Sequence, residues 1–369
     1  MKNMTIMLKP ASSLCNMRCG YCFYSDVAAS RQKASHGIMS RETAAAVIHN
    51  TFKVMTKGDH VTFSFQGGEP SLAGLDFFEF FVGEVKKAAP PNVRVRYALQ
   101  TNGLAVDEDW CRFYKENKFL LGLSLDGSAA LHNGNRVDGG GKGTFNRVMK
   151  AKGLFDRLGV EYNILCVLSS QNARRAQGIW DFFVREKIKY IQFIPCIEPL
   201  TNPEGSQDAL TADKFYLFYS TLYPIWKRGL EKGSASQNLI RVQLFEDLIS
   251  LLLHGQRVTC GLSGGCTPQI IVEADGSVYP CDFYVLDEYK IGDLAAHDLQ
   301  QVFEAVIKSD FIKKSPETPA QCENCTHYRW CRGGCKRMDK AVYGKDCGMR
   351  RFLDECLNDL LAYARSGAY

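Results

Sequence analysis

Three cysteines, Cys15, Cys19 and Cys22, sit in the string CNMRCGYC with the spacing C-x3-C-x2-C. Thiolates are soft ligands for iron and zinc. Three on one short loop can bind three irons of a cubane cluster and leave the fourth iron without a protein ligand. An open metal position is what a reactive centre needs, as opposed to a closed structural one. A zinc site that borrows its fourth ligand from elsewhere has the same spacing, so this loop alone leaves both readings open. A denser set lies towards the C-terminus. Cys260 precedes Cys266, Gly276 and Cys281 in C-x9-G-x4-C. Cys322, Cys325, Cys331 and Cys335 follow in C-x2-C-x5-C-x3-C, and then Cys347. These eight thiolates suffice for two fully ligated [4Fe–4S] clusters, and a pair of zinc knuckles is the competing reading.

The whole chain narrows the choice. It has 369 residues, 15 of them cysteine. Disulfide scaffolds that rich in cysteine are short and secreted. The N-terminal MKNMTIMLKP is interrupted by Lys9 and Pro10 too early for a secretory signal. No apolar run approaches the ~18 residues of a membrane span. The net charge of +5 is spread along the chain without a dense Lys/Arg block, so neither nucleic acid nor membrane is expected as a partner. The expected setting is the reducing cytoplasm, where clustered cysteines bind metal. Cys111 and Cys356 on expected helices and Cys166 on a strand read as small buried hydrophobes, as does Cys196 at the end of the sixth strand, for which facing a substrate is the alternative reading.

The elements that must carry these residues alternate. Strand patterns run over 4–8, 61–66, 93–100, 120–125, 160–168 and 189–195. Helical spacing fills 41–57, with Ser40 as N-cap, then 74–88, 107–117, 144–158 and 173–187. Six βα units in series predict a parallel sheet wrapped by helices. They fall short of a full eightfold barrel, so the expected fold class is α/β, a partial (β/α)6 barrel. Further helices are expected over 212–231 and 239–254, before a cysteine- and glycine-rich region. The expected division is 1–235 for the barrel and 236–369 for bridging helices and a cluster-binding domain.

The three-cysteine loop after the first strand, with Tyr21 before its last cysteine, resembles the radical S-adenosylmethionine (SAM) superfamily. The resemblance implies that the open iron chelates SAM's amino and carboxylate groups. Reduction then cleaves SAM to a 5′-deoxyadenosyl radical. It also implies SAM contacts from Tyr21, from Gly68 and Glu69 in GGEP, from Ser124 in GLSLDG, from Arg136 in HNGNR and from Ile197 past the sixth strand. The C-terminal cysteines resemble the SPASM signature. That pattern assigns Cys260, Cys266, Cys281 and Cys335 to one auxiliary cluster and Cys322, Cys325, Cys331 and Cys347 to another, giving three [4Fe–4S] clusters in all.

The strings PASSxCNxxCxYCFY, FQGGEP, LQTNG, GLSxDG, HNxNR, NILCV and GSVYPCDFYVLD, from about Lys9 to Cys347, resemble the anaerobic sulfatase-maturating enzymes. Those enzymes oxidise a Cys or Ser of a sulfatase to Cα-formylglycine. The resemblance implies a sulfatase-type protein or peptide as substrate, a flavodoxin or ferredoxin as electron donor, and a monomer. Asp282, directly after Cys281, is the expected catalytic base for the substrate thiol or hydroxyl; a solvated turn residue is its plainer reading. Gln66, Gln100, Asn102 and Asn163 at strand ends are candidate peptide contacts. Two other functions share the cysteines. One is a SPASM enzyme making a crosslink or thioether in a ribosomal peptide. The other is a non-catalytic metal-binding or electron-carrying protein, against which the open iron argues.

Overall fold

The computed structural model describes residues 3–201, 206–233, 240–314 and 318–366. The expected division at 235/236 and the expected helix start at 239 lie outside the described residues. Along the chain run strands β1 (Asn3–Leu8), β2 (Met17–Cys19), β3 (His60–Phe65), β4 (Arg94–Thr101), β5 (Phe119–Ser124) and β6 (Arg136–Asp138). They are followed by β7 (Tyr162–Leu168), β8 (Tyr190–Pro195), β9 (Arg241–Val242), β10 (Ile270–Val272), β11 (Ser277–Tyr279) and β12 (Gly292–Asp293). The six expected strands are β1, β3, β4, β5, β7 and β8, each followed by helix. The chain sorts into two compact units. One comprises the residues up to Ser124, Asn133–Tyr162 and Pro268–Lys314; the other comprises Leu125–His132, Asn163–Thr267 and Ser315–Tyr369.

In the first unit the strands lie in the order β12-β11-β10-β1-β3-β4-β5. From β10 to β5 the pairing is parallel, while β11 and β12 run antiparallel. Successive strand residues face opposite sides of a sheet. Val61, Phe63 and Phe65 of β3 are buried. Phe63 and Phe65 meet Phe78 and Phe81 of the helix Leu75–Ala88 edge to face, with centroids 5.0–5.2 Å apart. Phe78 and Phe81 are three residues apart, so they share one helix face, and burying such a ring contributes about 1.5–3 kcal/mol.

The other strand face carries a different row. Leu8 pairs with Phe65 and Phe65 with Leu99, so Lys9, Gln66 and Gln100 stand side by side at the C-terminal strand ends. That edge of a parallel α/β sheet is where ligands bind. The expected helix over 41–57 is shorter, Arg41–Phe52. Ser40 caps it, its Oγ accepting from the Thr43 N–H at 3.0 Å. The chain then turns because Asp59 accepts from the Thr56 N–H at 2.9 Å and from its hydroxyl at 3.2 Å.

The second unit holds parallel β7, β8 and β9 and the helices Ala212–Gly233, Gln243–His254 and Gly348–Arg365. The three helices share an aromatic core. Phe245 lies 4.7 Å from Trp226 and 5.9 Å from Phe352 between ring centroids. Cys111, Cys166, Cys196 and Cys356, each in its own unit, are all buried, as their apolar sequence settings predict. Among the described residues no helix is long and apolar enough to cross a membrane.

Candidate active site and metal centres

In the first unit the cysteine loop is held from three sides. Gly68 clamps its start. A Cβ at Gly68 would lie 2.0 Å from the Leu14 carbonyl oxygen, so only glycine allows this approach. The Gly68 N–H donates to Ser12 O and the Glu69 N–H to Leu14 O, each at 2.8 Å. The loop's middle forms β2, paired antiparallel with β6 so that Cys19 faces Arg136. This ribbon was not expected from the sequence, because three-residue strands carry too little pattern to read. The loop's end becomes a helix, Phe23–Ala29. Cys22 is its N-cap, and its Sγ accepts from the Ser25 N–H at 3.4 Å.

Cys15 Sγ accepts from the Met17 N–H at 3.4 Å and has Asn102 Nδ2 at 3.8 Å. Asn102 also donates to Asn16 Oδ1 at 2.7 Å, so this candidate peptide contact is turned towards the cysteine loop. Burial raises the Cys15 pKa first, and Glu69, Cys19 and Cys22 add to it, which places the three thiols within one electrostatic neighbourhood. Cys15 and Cys22 are exposed and Cys19 is half-buried. Neighbouring thiols on one loop, two of them exposed and with N–H groups on the Cys15 and Cys22 sulfurs, fit a cluster with an open iron.

Around the loop stand the other expected contacts. Glu69 is buried. Its Oε1 accepts from the Ser71 N–H (3.1 Å), Ser71 Oγ (2.7 Å) and Thr101 Oγ1 (2.9 Å), and its Oε2 from the Asn102 N–H (2.7 Å). Burial raises its pKa and these bonds oppose the rise. The carboxylate thus ties the GGEP turn to the end of β4. Arg136 is buried, with its guanidinium 5.4 Å from the centroid of the half-buried Tyr21 ring. Ser124 ends β5 and accepts from Gln100 Nε2 at 3.0 Å.

Asp282 opens a short 3-10 turn after Cys281. It is not a solvated turn residue. Lys9 Nζ donates to its Oδ1 at 2.5 Å and Gln66 Nε2 to its Oδ2 at 2.9 Å. Beneath lies a buried network that the sequence did not reveal. Glu273 accepts from Arg31 Nη1 at 2.6 Å, Ser12 Oγ at 2.9 Å and Tyr24 OH at 3.3 Å. Lys9 and Glu273 were missed because their partners are distant in sequence. The available signal was a lysine closing an apolar strand and a glutamate following another, IIVE.

In the second unit Ile197 is buried two residues beyond β8. Cys322, Cys331 and Cys347 are buried and Cys325 half-buried. Burial raises the Cys331 pKa to about 11, with Cys347, Cys322 and Cys325 adding to it. The Arg350 N–H donates to Cys347 Sγ at 3.3 Å. Four neighbouring thiols, three of them buried, fit a closed cluster. Gly334 permits the packing: a Cβ there would lie 1.9 Å from the Tyr343 ring, whose hydroxyl donates to Gly261 O at 3.1 Å. Cys260 is also raised by burial first and then by Cys335 and Cys266, so these three form a second group. Among the described residues no three or more His, Cys, Asp or Glu side chains close on a single ion. Cubane ligands sit instead at different corners of a cluster.

Two family models match the chain: the radical SAM superfamily over residues 10–179 and an iron–sulfur cluster-binding domain, SPASM, over 265–326. They define the class, a radical SAM protein that uses SAM and carries [4Fe–4S] clusters. A cysteine-type anaerobic sulfatase-maturating enzyme of Clostridium novyi (strain NT) is 39% identical over 91% of this chain and 89% of its own. A serine-type enzyme of Klebsiella aerogenes is 28% identical over 98% of this chain and 87% of its own. The solved structure of native anSMEcpe with bound AdoMet and Cp18Cys peptide matches with a TM-score of 0.89 at 35% identity, covering 99% of each chain. The chain belongs to the anaerobic sulfatase-maturating enzymes. Its fold class is the α/β one expected, a radical SAM core of the (β/α)6 type followed by a SPASM-type domain.

Proposed function

We infer that this chain oxidises a cysteine of a sulfatase-type protein or peptide to Cα-formylglycine. The observation that carries the reading is its 39% identity to a cysteine-type enzyme along nearly the whole chain, against 28% for a serine-type one. No observation favours the crosslinking or thioether chemistry. When bound, SAM and the clusters supply the hydrogen-abstracting radical and an acceptor for one electron.

The chain's own residues position and deprotonate. Cys15, Cys19 and Cys22 are the proposed ligands of the open cluster. Tyr21, Gly68, Glu69, Ser124 and Arg136 are the proposed SAM-holding residues of the first unit. Cys322, Cys325, Cys331 and Cys347 are proposed to ligate an auxiliary cluster, and Cys260, Cys266, Cys281 and Cys335 to be ligands as well. Asp282 is the proposed base. The substrate loses one hydrogen atom from Cβ, one proton from its thiol to Asp282 and one electron. These losses leave a carbon–sulfur double bond, and water converts it to the aldehyde with release of hydrogen sulfide. The reading extends to a flavodoxin or ferredoxin as electron donor, to a monomer, and to the cytoplasm, whose reducing conditions suit fifteen free cysteines.

The test is anaerobic reconstitution with SAM, reductant and a Cys-x-Pro-x-Arg peptide. The expected product has lost two hydrogens and exchanged sulfur for oxygen, with deoxyadenosine formed in step. Asp282→Asn should lower product by about 10²-fold or more, as removal of a general base does. Deoxyadenosine without formylglycine in the unsubstituted protein defeats the reading.

A further inference from the structure

The side chain of Lys9 is fully buried, and the reaction as written gives it no task. Burying an ammonium is costly, and an apolar side chain of similar volume can fill such a site without that cost. The neighbours of Lys9 indicate what the charge does. Its backbone is fixed first: its N–H donates to Val272 O at 2.8 Å and its carbonyl accepts from the Ser12 N–H at 2.9 Å. Its stem is fixed next, Cβ and Cγ lying 3.2 and 3.3 Å from where a Cβ of Gly67 would stand. A larger residue at 67 would push Lys9 aside. The ammonium then has the Tyr24 ring face 3.9 Å away, a favourable setting for a desolvated cation, and Asp282 Oδ1 at 2.5 Å.

Gln66 takes the other oxygen, Oδ2, at 2.9 Å. Lys9 and Gln66 are the residues just beyond the paired Leu8 and Phe65, so two adjacent strand ends grip one carboxylate, one oxygen each. The charge-assisted bond from Lys9 is the stronger of the two. A carboxylate held at both oxygens cannot turn freely about its terminal bond. One that has lost Lys9 keeps a single neutral donor.

We propose that Lys9 is the positioning residue for Asp282, fixing the carboxylate in the orientation from which it takes the substrate's proton. The proposal rests on the reading of Asp282 as the base. It concerns geometry, which a buried cation anchored at backbone, stem and head is built to supply.

The experiment compares Lys9→Met, Lys9→Gln, Asp282→Asn and the Lys9→Met/Asp282→Asn double variant. Each is measured for iron content, visible absorption, deoxyadenosine formed and formylglycine formed. The expected result for Lys9→Met is full iron and wild-type deoxyadenosine, with product per deoxyadenosine lowered at least tenfold. Lys9→Gln, which keeps a donor of similar reach, should give an intermediate ratio. In the Asp282→Asn background, Lys9→Met should change nothing further. A wild-type ratio in either Lys9 variant overturns the proposal. So does loss of iron in both, which would make Lys9 a residue of the fold, or a further fall in the double variant. Product that survives Asp282→Asn defeats the base reading itself, independently of how Lys9→Met behaves.

Discussion

The cysteine loop of the first unit and the Cys322–Cys347 group of the second place the same proposed ligand atom in opposite settings. On the loop, Cys15 and Cys22 are exposed and the backbone is fixed by its surroundings: Gly68, β6 and Asn102. In the other group three of four cysteines are buried, and short turns around Gly334 and Tyr343 enclose them. The contrast matches the two kinds of cluster proposed for them. Where a cluster must keep one iron open, the frame has to be folded beforehand by other contacts. Where every iron is ligated, binding the cluster can itself stabilise the fold.

Removing one proposed ligand from each region tests this most severely. Cys19→Ala should abolish deoxyadenosine formation, a loss of 10³-fold or more on the ~10⁶-fold and larger scale of enzymatic acceleration, while the melting temperature barely moves. Cys331→Ala should instead lower soluble yield and melting temperature sharply. Equal melting temperatures for the two variants would break the distinction. Gly68→Ala is next in size. Its methyl must displace the Leu14 carbonyl, so the loop frame should lose more than about 3 kcal/mol, in the range of forced overpacking and backbone strain. Iron per chain should fall with loss of SAM cleavage. A Gly68→Ala protein with full iron would mean that the frame is softer than its packing indicates.

The smallest effect extends the contrast to ionisable groups. Asp247, buried in the second unit, has its pKa raised to about 6 by burial, against an opposing hydrogen bond from Thr259 beside Cys260. The folded state therefore holds a proton that the unfolded chain releases near pH 4. Its share of stability is complete below that pH and is lost as pH rises towards about 6. A shift of about two units corresponds to about 2–3 kcal/mol. Asp247→Asn should remove this dependence, so its anaerobic melting temperature should change less between pH 5 and 7.5 than that of the unsubstituted protein. An unchanged slope would show that other groups set it.

The six parallel strands were legible because period-two patterning and flanking turns are local. Ser40 was legible because a cap acts within three residues. The cysteine spacings and the Cys281–Asp282 neighbourhood were legible for the same reason. What escaped the sequence depends on contacts made across the chain. Lys9 meets Asp282 across 273 positions and Arg31 meets Glu273 across 242. Nothing in either segment alone indicates the other. Glu69 was expected to contact SAM, and its carboxylate also accepts from Ser71, Thr101 and Asn102, a bracing role that a GGEP string does not display.

The parallel pairing of β10 with β1, Ile6 beside Ile270, has a consequence for how the protein is made. The first unit is discontinuous, and its last segment runs to Lys314. During synthesis the N-terminal strands emerge long before β10, and so before Glu273 can hold Ser12 and Arg31 around the cysteine loop. Contacts that distant form late and slowly. Until that segment leaves the ribosome, Cys15, Cys19 and Cys22 belong to an unfinished frame. A cluster bound by these proposed ligands would therefore meet its finished frame only after β10 has been made.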